Sequence, residues 1–224
     1  MIPFDTAENW AYVDALTARW FPPPQGPAAP ADLSTVEARL TAVVPGALSP
    51  ALAELATRAA RDDVWNVQDR LLPSDRWAFW KDRLVIGEEA QGVTQWGIDL
   101  QHLTDPDPPV EYVDLDTDEW EDEFGRVSEF AIVWVLLAVK FSPADLRRSN
   151  GQVEDDPLNR FRAAHQPLPL GATWPADPTM FYPLDDALLE VDGDTWAWLT
   201  ARDDAAFDAA TERLTGFGIT LDPF

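Results

Sequence analysis

The chain has 224 residues, enough for one well-packed core with additions, and 46% of them are hydrophobic, so a disordered composition is excluded. Its formal net charge of −24, with a pI near 4.1, makes it a poor partner for nucleic acid or anionic lipid and a good one for cationic surfaces. With no Cys, disulfides, thiolate metal sites and a Cys nucleophile are excluded, which fits a reducing cytoplasm.

The start, MIPFDTAENW, carries acids where an export signal has positive charge, so none is expected. The longest apolar run, Phe130 to Val139, falls well short of the roughly 20 residues that cross a bilayer. From Asp5 to Trp20, Trp10, Val13, Leu16 and Trp20 recur at helical spacing behind an Asp5-x-x-Glu8 start signal, predicting an amphipathic N-terminal helix within residues 1–21. Residues 22–31, PPPQGPAAPA, hold too much proline for a helix and read as an extended linker. A main domain then spans 32–224. It opens with a capping box, Ser34 to Glu37, before an apolar stripe at Val36, Leu40 and Val43. A second helix is expected from about Pro50 to Arg61, with Pro50 in the first turn.

A third helical segment is expected from Ser74 to Leu84, where Trp77, Trp80 and Leu84 share a helical period. Three patterns follow. IGEEAQGVTQWGIDL (Ile86 to Leu100) reads as strand, with its centre at Val93 to Ile98 entered through Gly92. DPDPPVEYVDL (Asp105 to Leu115) reads as a strand that begins after Pro108 and Pro109, since proline cannot donate to a ladder. VSEFAIVWVLLAV (Val127 to Val139) reads as a helix with Ser128 as N-cap.

The polar stretch Ser142 to Asp156 reads as an irregular crossover. Beyond it, Thr179 to Tyr182, Ala187 to Asp192 and Thr195 to Thr200 read as antiparallel strands with a hairpin at Asp192 to Asp194. A last helix from Asp203 to Leu214 is closed by Gly216 or Gly218.

Acidic strand, Trp96-Gly97, Pro109-Val110 strand and the Ser128-Glu129-Phe130 helix, in this order, resemble the SUKH superfamily, which includes many bacterial immunity proteins and a yeast regulator of cell-wall synthesis. The resemblance implies an α+β fold: a twisted, mainly antiparallel sheet flanked by helices, with the N-terminal helix as an extension. It also implies a non-enzymatic protein-binding module, an immunity protein that neutralises a cognate toxin, with a regulatory or scaffolding protein of the same fold as the alternative. In such a family Trp96, Gly97, Pro109 and Val110 belong to the central sheet.

Chemistry has little footing elsewhere. Asp114, Asp116 and Asp118 form a D-x-D-x-D run, but an EF-hand loop would need Gly where Glu119 stands and Glu where Gly125 stands. His102 and His165 are in no ligand spacing, and no P-loop, G-x-S-x-G elbow or dinucleotide fingerprint occurs. No cofactor, metal or catalytic residue is expected.

The residues that single themselves out are Asp114, Asp116, Asp118, Glu119, Glu121, Asp122 and Glu123 around Trp120, together with Glu88 and Glu89. Two readings stand side by side. One is a solvated loop before the Ser128 helix with Trp120 tucked against the core. The other is an interface in which an exposed aromatic anchor is ringed by carboxylates that steer a basic toxin domain, a nuclease among the possibilities. The chain itself is expected to be a monomer or weak homodimer.

Overall fold

The computed structural model describes residues 5–23, 33–34, 37–39, 48–60 and 63–223. Most of the expected linker and of the helix opened by Ser34 lies outside them. The chain divides into two compact units, with the boundary between Ala138 and Val139.

The first unit is arranged around one helix. In chain order it holds α1 (Thr6–Trp20), α2 (Pro50–Ala59), β1 (Arg70–Leu71), β2 (Ala78–Trp80), β3 (Arg83–Glu88), β4 (Thr94–Asp99), β5 (Val110–Asp114), β6 (Glu119–Phe124) and α3 (Val127–Ala138). The sheet runs β1-β3-β4-β5-β6 in antiparallel pairs, with β2 also on β3. Helix α3 has almost no polar side: from Val127 to Leu136 every residue but Glu129 is buried. Such a helix must be enclosed on all sides. On one side Trp134 and Phe130 meet Trp96 of β4, with the Trp96 and Trp134 rings edge to face at 5.1 Å. Both indoles lie over Gly87, where a Cβ would touch each of them at 3.4 Å. On other sides α1 and α2 pack on α3, α1 presenting Trp10, Val13, Leu16 and Trp20 as its period predicts.

A polar tie fixes α1 and the start of α3. Asn9, fully buried, donates from Nδ2 to Ser128 Oγ at 2.8 Å. The Asp107 carboxylate accepts from the Ser128 N–H at 3.0 Å, from Ser128 Oγ at 2.6 Å and from Thr6 Oγ1 at 2.8 Å. Ser128 is therefore the second residue of α3 and does not cap it. Asp107, remote in sequence, supplies the carboxylate that the orphan N–H groups of the first turn attract.

The segment Ser74 to Leu84 is not a helix. It is a 3-10 turn, Ser74–Arg76, followed by the β2–β3 hairpin, in which Phe79 faces Leu84 and Trp80 faces Arg83. The reversal is made by Lys81 and Asp82, both at positive φ (46° and 57°), the backbone of a two-residue hairpin turn that Asn-Gly usually supplies. A Lys-Asp pair announces no such turn, so the aromatic spacing imitates a helix.

The second unit carries β7 (Arg147–Gln152), α4 (Asp155–Ala164), β8 (Gly171–Ala172), β9 (Thr179–Leu184), β10 (Ala187–Asp192), β11 (Trp196–Ala201), α5 (Asp204–Gly216) and β12 (Asp222–Pro223), in sheet order β12-β7-β11-β10-β9-β8, all antiparallel. The three apolar strands and the final helix stand where the sequence puts them. Asp203 caps α5, accepting from the Ala206 N–H at 2.8 Å, and Gly218 follows the helix at φ +86°. Phe161 of α4 and Leu214 of α5 share a core with Tyr182, Leu189 and Leu199.

The expected crossover Ser142 to Asp156 contains β7 and the start of α4. Its strand reads RRSNGQ, with only Ser149 buried, and is held by main-chain pairing to β11 and β12. A strand without apolar alternation leaves no periodic signal.

On the other face of β10 lies a buried ion pair. Lys140 Nζ bonds directly to Glu190 and stands 3.9 Å from Asp192, with the rings of Trp198 and Phe141 at 5.2 and 5.5 Å. Asp192 is held in turn by Thr179 Oγ1 and Trp198 Nε1, each at 3.0 Å.

The protein is thus α+β with antiparallel sheets flanked by helices, its strands distributed over two sheets where one was expected.

Candidate protein-binding surface

The acidic run from Asp114 to Glu123 is a β-hairpin and not a loop. Residues 115–118 turn the chain, with the Asp114 carbonyl accepting from Asp118 N–H at 2.9 Å, and Glu119 to Phe124 return as β6 beside β5. The turn uses its own acids. Asp114 Oδ1 accepts the Asp116 N–H at 2.9 Å, and Asp118 takes φ +63° while its carboxylate pairs with Lys81. The alternating Asp side chains therefore serve the turn and a lysine. Among the described residues no group of three or more His, Asp or Glu is placed to hold a metal ion.

Trp120 departs from the exposed anchor of the interface reading. It is half-buried, and its ring reaches across β5 to β4. A Cβ on Gly97 would stand 2.8 Å from its Cη2, so the glycine of the Trp96-Gly97 pair is the seat for this indole. Trp80 packs against it at 5.7 Å between centroids, and the Arg83 guanidinium lies 5.9 Å from its ring. Arg83 is in turn fixed by Asp99 at 2.9 Å and by Glu111. Opposed residues of antiparallel strands share a face, so Trp80, Arg83, Gly97, Asp99, Glu111 and Trp120 form one side of the sheet, while Leu84, Trp96 and Ile98 form the side toward α3. The cluster around Arg83 was not read from the sequence. Its members come from five strands, and only the sheet register brings them together.

Gly97→Ala is expected to cost about 1–3 kcal/mol, because the indole is boxed by Trp80 and Arg83 and cannot retreat freely. Urea unfolding reads this directly, and an unchanged midpoint would mean that Trp120 is not seated as described.

The remaining acids fall into two groups. Glu89 is buried and turned inward: its carboxylate accepts the Gln91 N–H at 2.7 Å, closing the β3–β4 turn. It is therefore removed from the accessible set. Glu88 is half-buried and paired with Arg70 at 2.9 Å. Glu123 is half-buried and is the extra residue of a bulge, since Val110 opposes Phe124 and Glu111 opposes Asp122. Glu121 is exposed and accepts from the Tyr112 hydroxyl at 3.2 Å. Asp116, Glu119 and Asp122 are exposed, and no described cation forms an ion pair with them. The accessible negative surface thus narrows to Asp116, Glu119, Glu121 and Asp122.

Comparison with family models, with curated proteins and with solved structures gives no match. What can be said of the surface rests on its geometry.

β6 is the last strand of its sheet, so this surface is an edge. Carboxylates in water on a fixed strand suit long-range attraction of cations and short-range pairing with Lys or Arg. His102 and His165 take no part: His102 pairs with Asp105 at 2.8 Å, and His165 stacks on Phe161. No helix among the described residues is long and apolar enough to cross a membrane.

Proposed function

We propose that this chain is a non-enzymatic protein-binding module of the SUKH type, an immunity protein that neutralises a basic toxin domain in the cytoplasm. The observation that carries the reading is the edge strand β6. It presents Glu119, Glu121 and Asp122 to solvent beside Asp116 of the turn, on a frame fixed by Trp120 and Gly97. A nuclease toxin has a basic active-site surface built for phosphate, and a rigid row of carboxylates can occupy that surface as a phosphate mimic. The net charge of −24 speeds the encounter by long-range attraction. The order of motifs from Glu88 to Val139 supports the family assignment.

The test uses the natural chain and the triple variant Asp116→Lys, Glu119→Lys and Glu121→Lys as bait in the source cell. The expected result is one basic polypeptide retained by the natural chain, with its toxicity suppressed. The triple variant should associate with it about tenfold more slowly at low salt and with a flatter salt dependence. Equal association rates for the two baits, or retention without suppression, would remove the proposal.

A further inference from the structure

We propose that β6 receives its partner as an added strand: a basic extended segment pairs main chain to main chain along Glu119–Asp122, with Lys or Arg at alternate positions. This rests on the protein-binding reading above and specifies the form of the partner at that surface.

The first support is the open ladder. One edge of β6 is taken by β5, and among the described residues no main-chain bond from another segment closes the other edge. An exposed edge is a template for any extended chain, and proteins usually block it. The usual devices are proline, an inward-pointing lysine or a bulge, and each of them bars every incoming strand. Within β6 there is no proline and no cation, and the bulge is confined to Glu123 at the Phe124 end. From Glu119 to Asp122 the pairing with β5 is regular, opposite Asp114 to Glu111.

The second support is selectivity. A guard made only of carboxylates repels a second copy of this chain, whose own edge carries the same acids, repels other acidic segments in the same way, and attracts basic ones. The same residues therefore exclude self-pairing and admit a basic strand. Side chains directly opposite on paired strands come within about 4.5–5.5 Å at Cβ, which suits Lys and Arg against Glu119 and Glu121 on one face.

The third support is Trp120. Because its ring sits on Gly97 of β4, on the side of β6 away from the open edge, it does not obstruct that edge. The partner's pattern is then basic on the Glu119 and Glu121 side, with strand-forming residues such as valine free to alternate with the basic ones.

The probe is a short end-blocked peptide alternating lysine and valine. Two further versions carry backbone N-methyl groups on one or the other alternate set of residues. All three have the same charge. In an added strand, only one set of N–H groups faces the protein. One methylated version should therefore bind at least about tenfold more weakly than the parent, and the other should bind like it.

Amide signals of Glu119 to Asp122 should shift on binding the parent peptide. The Glu119→Lys/Glu121→Lys variant should prefer the counterpart peptide of glutamate and valine. Equal effects of the two methylations, or shifts that avoid Glu119 to Asp122, overturn strand addition. If the methylations act equally while the triple charge reversal still slows toxin association, the immunity reading stands and only its strand form falls.

Discussion

Lys140→Met is expected to lower the unfolding free energy by about 3–5 kcal/mol above about pH 8, where Glu190 is charged, because it leaves two carboxylates of a buried cluster without the one cation that pairs with them among the described residues. Met keeps much of the stem's volume against Trp198 and Phe141, so the loss reports charge more than packing. The pH dependence follows from Glu190, whose carboxyl is pushed up to about 8. Burial is the main cause, opposed by Lys140 and reinforced by Asp192.

A carboxyl whose folded pKa lies above its unfolded value near 4.5 holds its proton more tightly in the native state. It contributes stability that is fully present below about 4.5 and is lost as pH rises toward about 8. Removing Lys140 removes the group that opposes this shift. The deficit of Lys140→Met should therefore stay nearly constant up to about pH 8, where Glu190 is neutral in both folded proteins, and widen above it, where the natural protein ionises Glu190 beside Lys140 and the variant keeps it neutral. Urea unfolding of both proteins below and above about pH 8 measures it. A deficit below about 1 kcal/mol, the range of a surface pair, would contradict the burial-dominated picture.

Asp107→Ala should cost about 2–3 kcal/mol by leaving three donors without their acceptor: the Ser128 N–H, Ser128 Oγ and Thr6 Oγ1. Loss of a helix cap and loss of charge-assisted bonds to partly buried groups both act in this direction. The change is also local. With the Asp107 tie gone, α1 keeps the Asn9–Ser128 bond, the pairing of Asp14 with Arg58 and its apolar face, so its amides should exchange faster than those of β3 and β4. Hydrogen exchange across Thr6–Trp20 reads this. Unchanged protection of α1 would show that the Asp107 tie does not hold it.

What could be read from the sequence follows from where the signals sit. Strands β4, β5, β9, β10 and β11 carry β-branched and aromatic residues between turn residues, and α1 and α5 carry a cap and a stripe within one short segment. These depend on neighbours in the chain, so they are visible in it. β7 is invisible because its residues are small or polar and its place is set by β11 and β12. The β2–β3 hairpin is disguised because Lys81 and Asp82 adopt a turn conformation their side chains do not favour. The cap of α3 is misread for a third reason: Asp107, whose partners stand at Thr6 and Ser128, is remote from the helix in sequence, and a search for caps next to the helix finds Ser128 instead.

The candidate surface was visible as a run of acids, but their separate tasks were not. Glu89 and Asp118 look like Glu119 in sequence. Only the backbone path turns the first into its own hairpin and sets the second against Lys81.

The enclosure of α3 has a consequence for how this protein can vary. A helix buried on every side ties each of its residues to several neighbours, so a change at Phe130 or Trp134 must be answered by changes in β4, α1 or α2. Asp116, Glu119, Glu121 and Asp122 lie outside that constraint. Exposed substitutions of this kind typically move stability by less than about 0.5 kcal/mol. The interior of this unit is therefore slow to change, while its acidic edge is free to change quickly, and selection can rewrite one without disturbing the other.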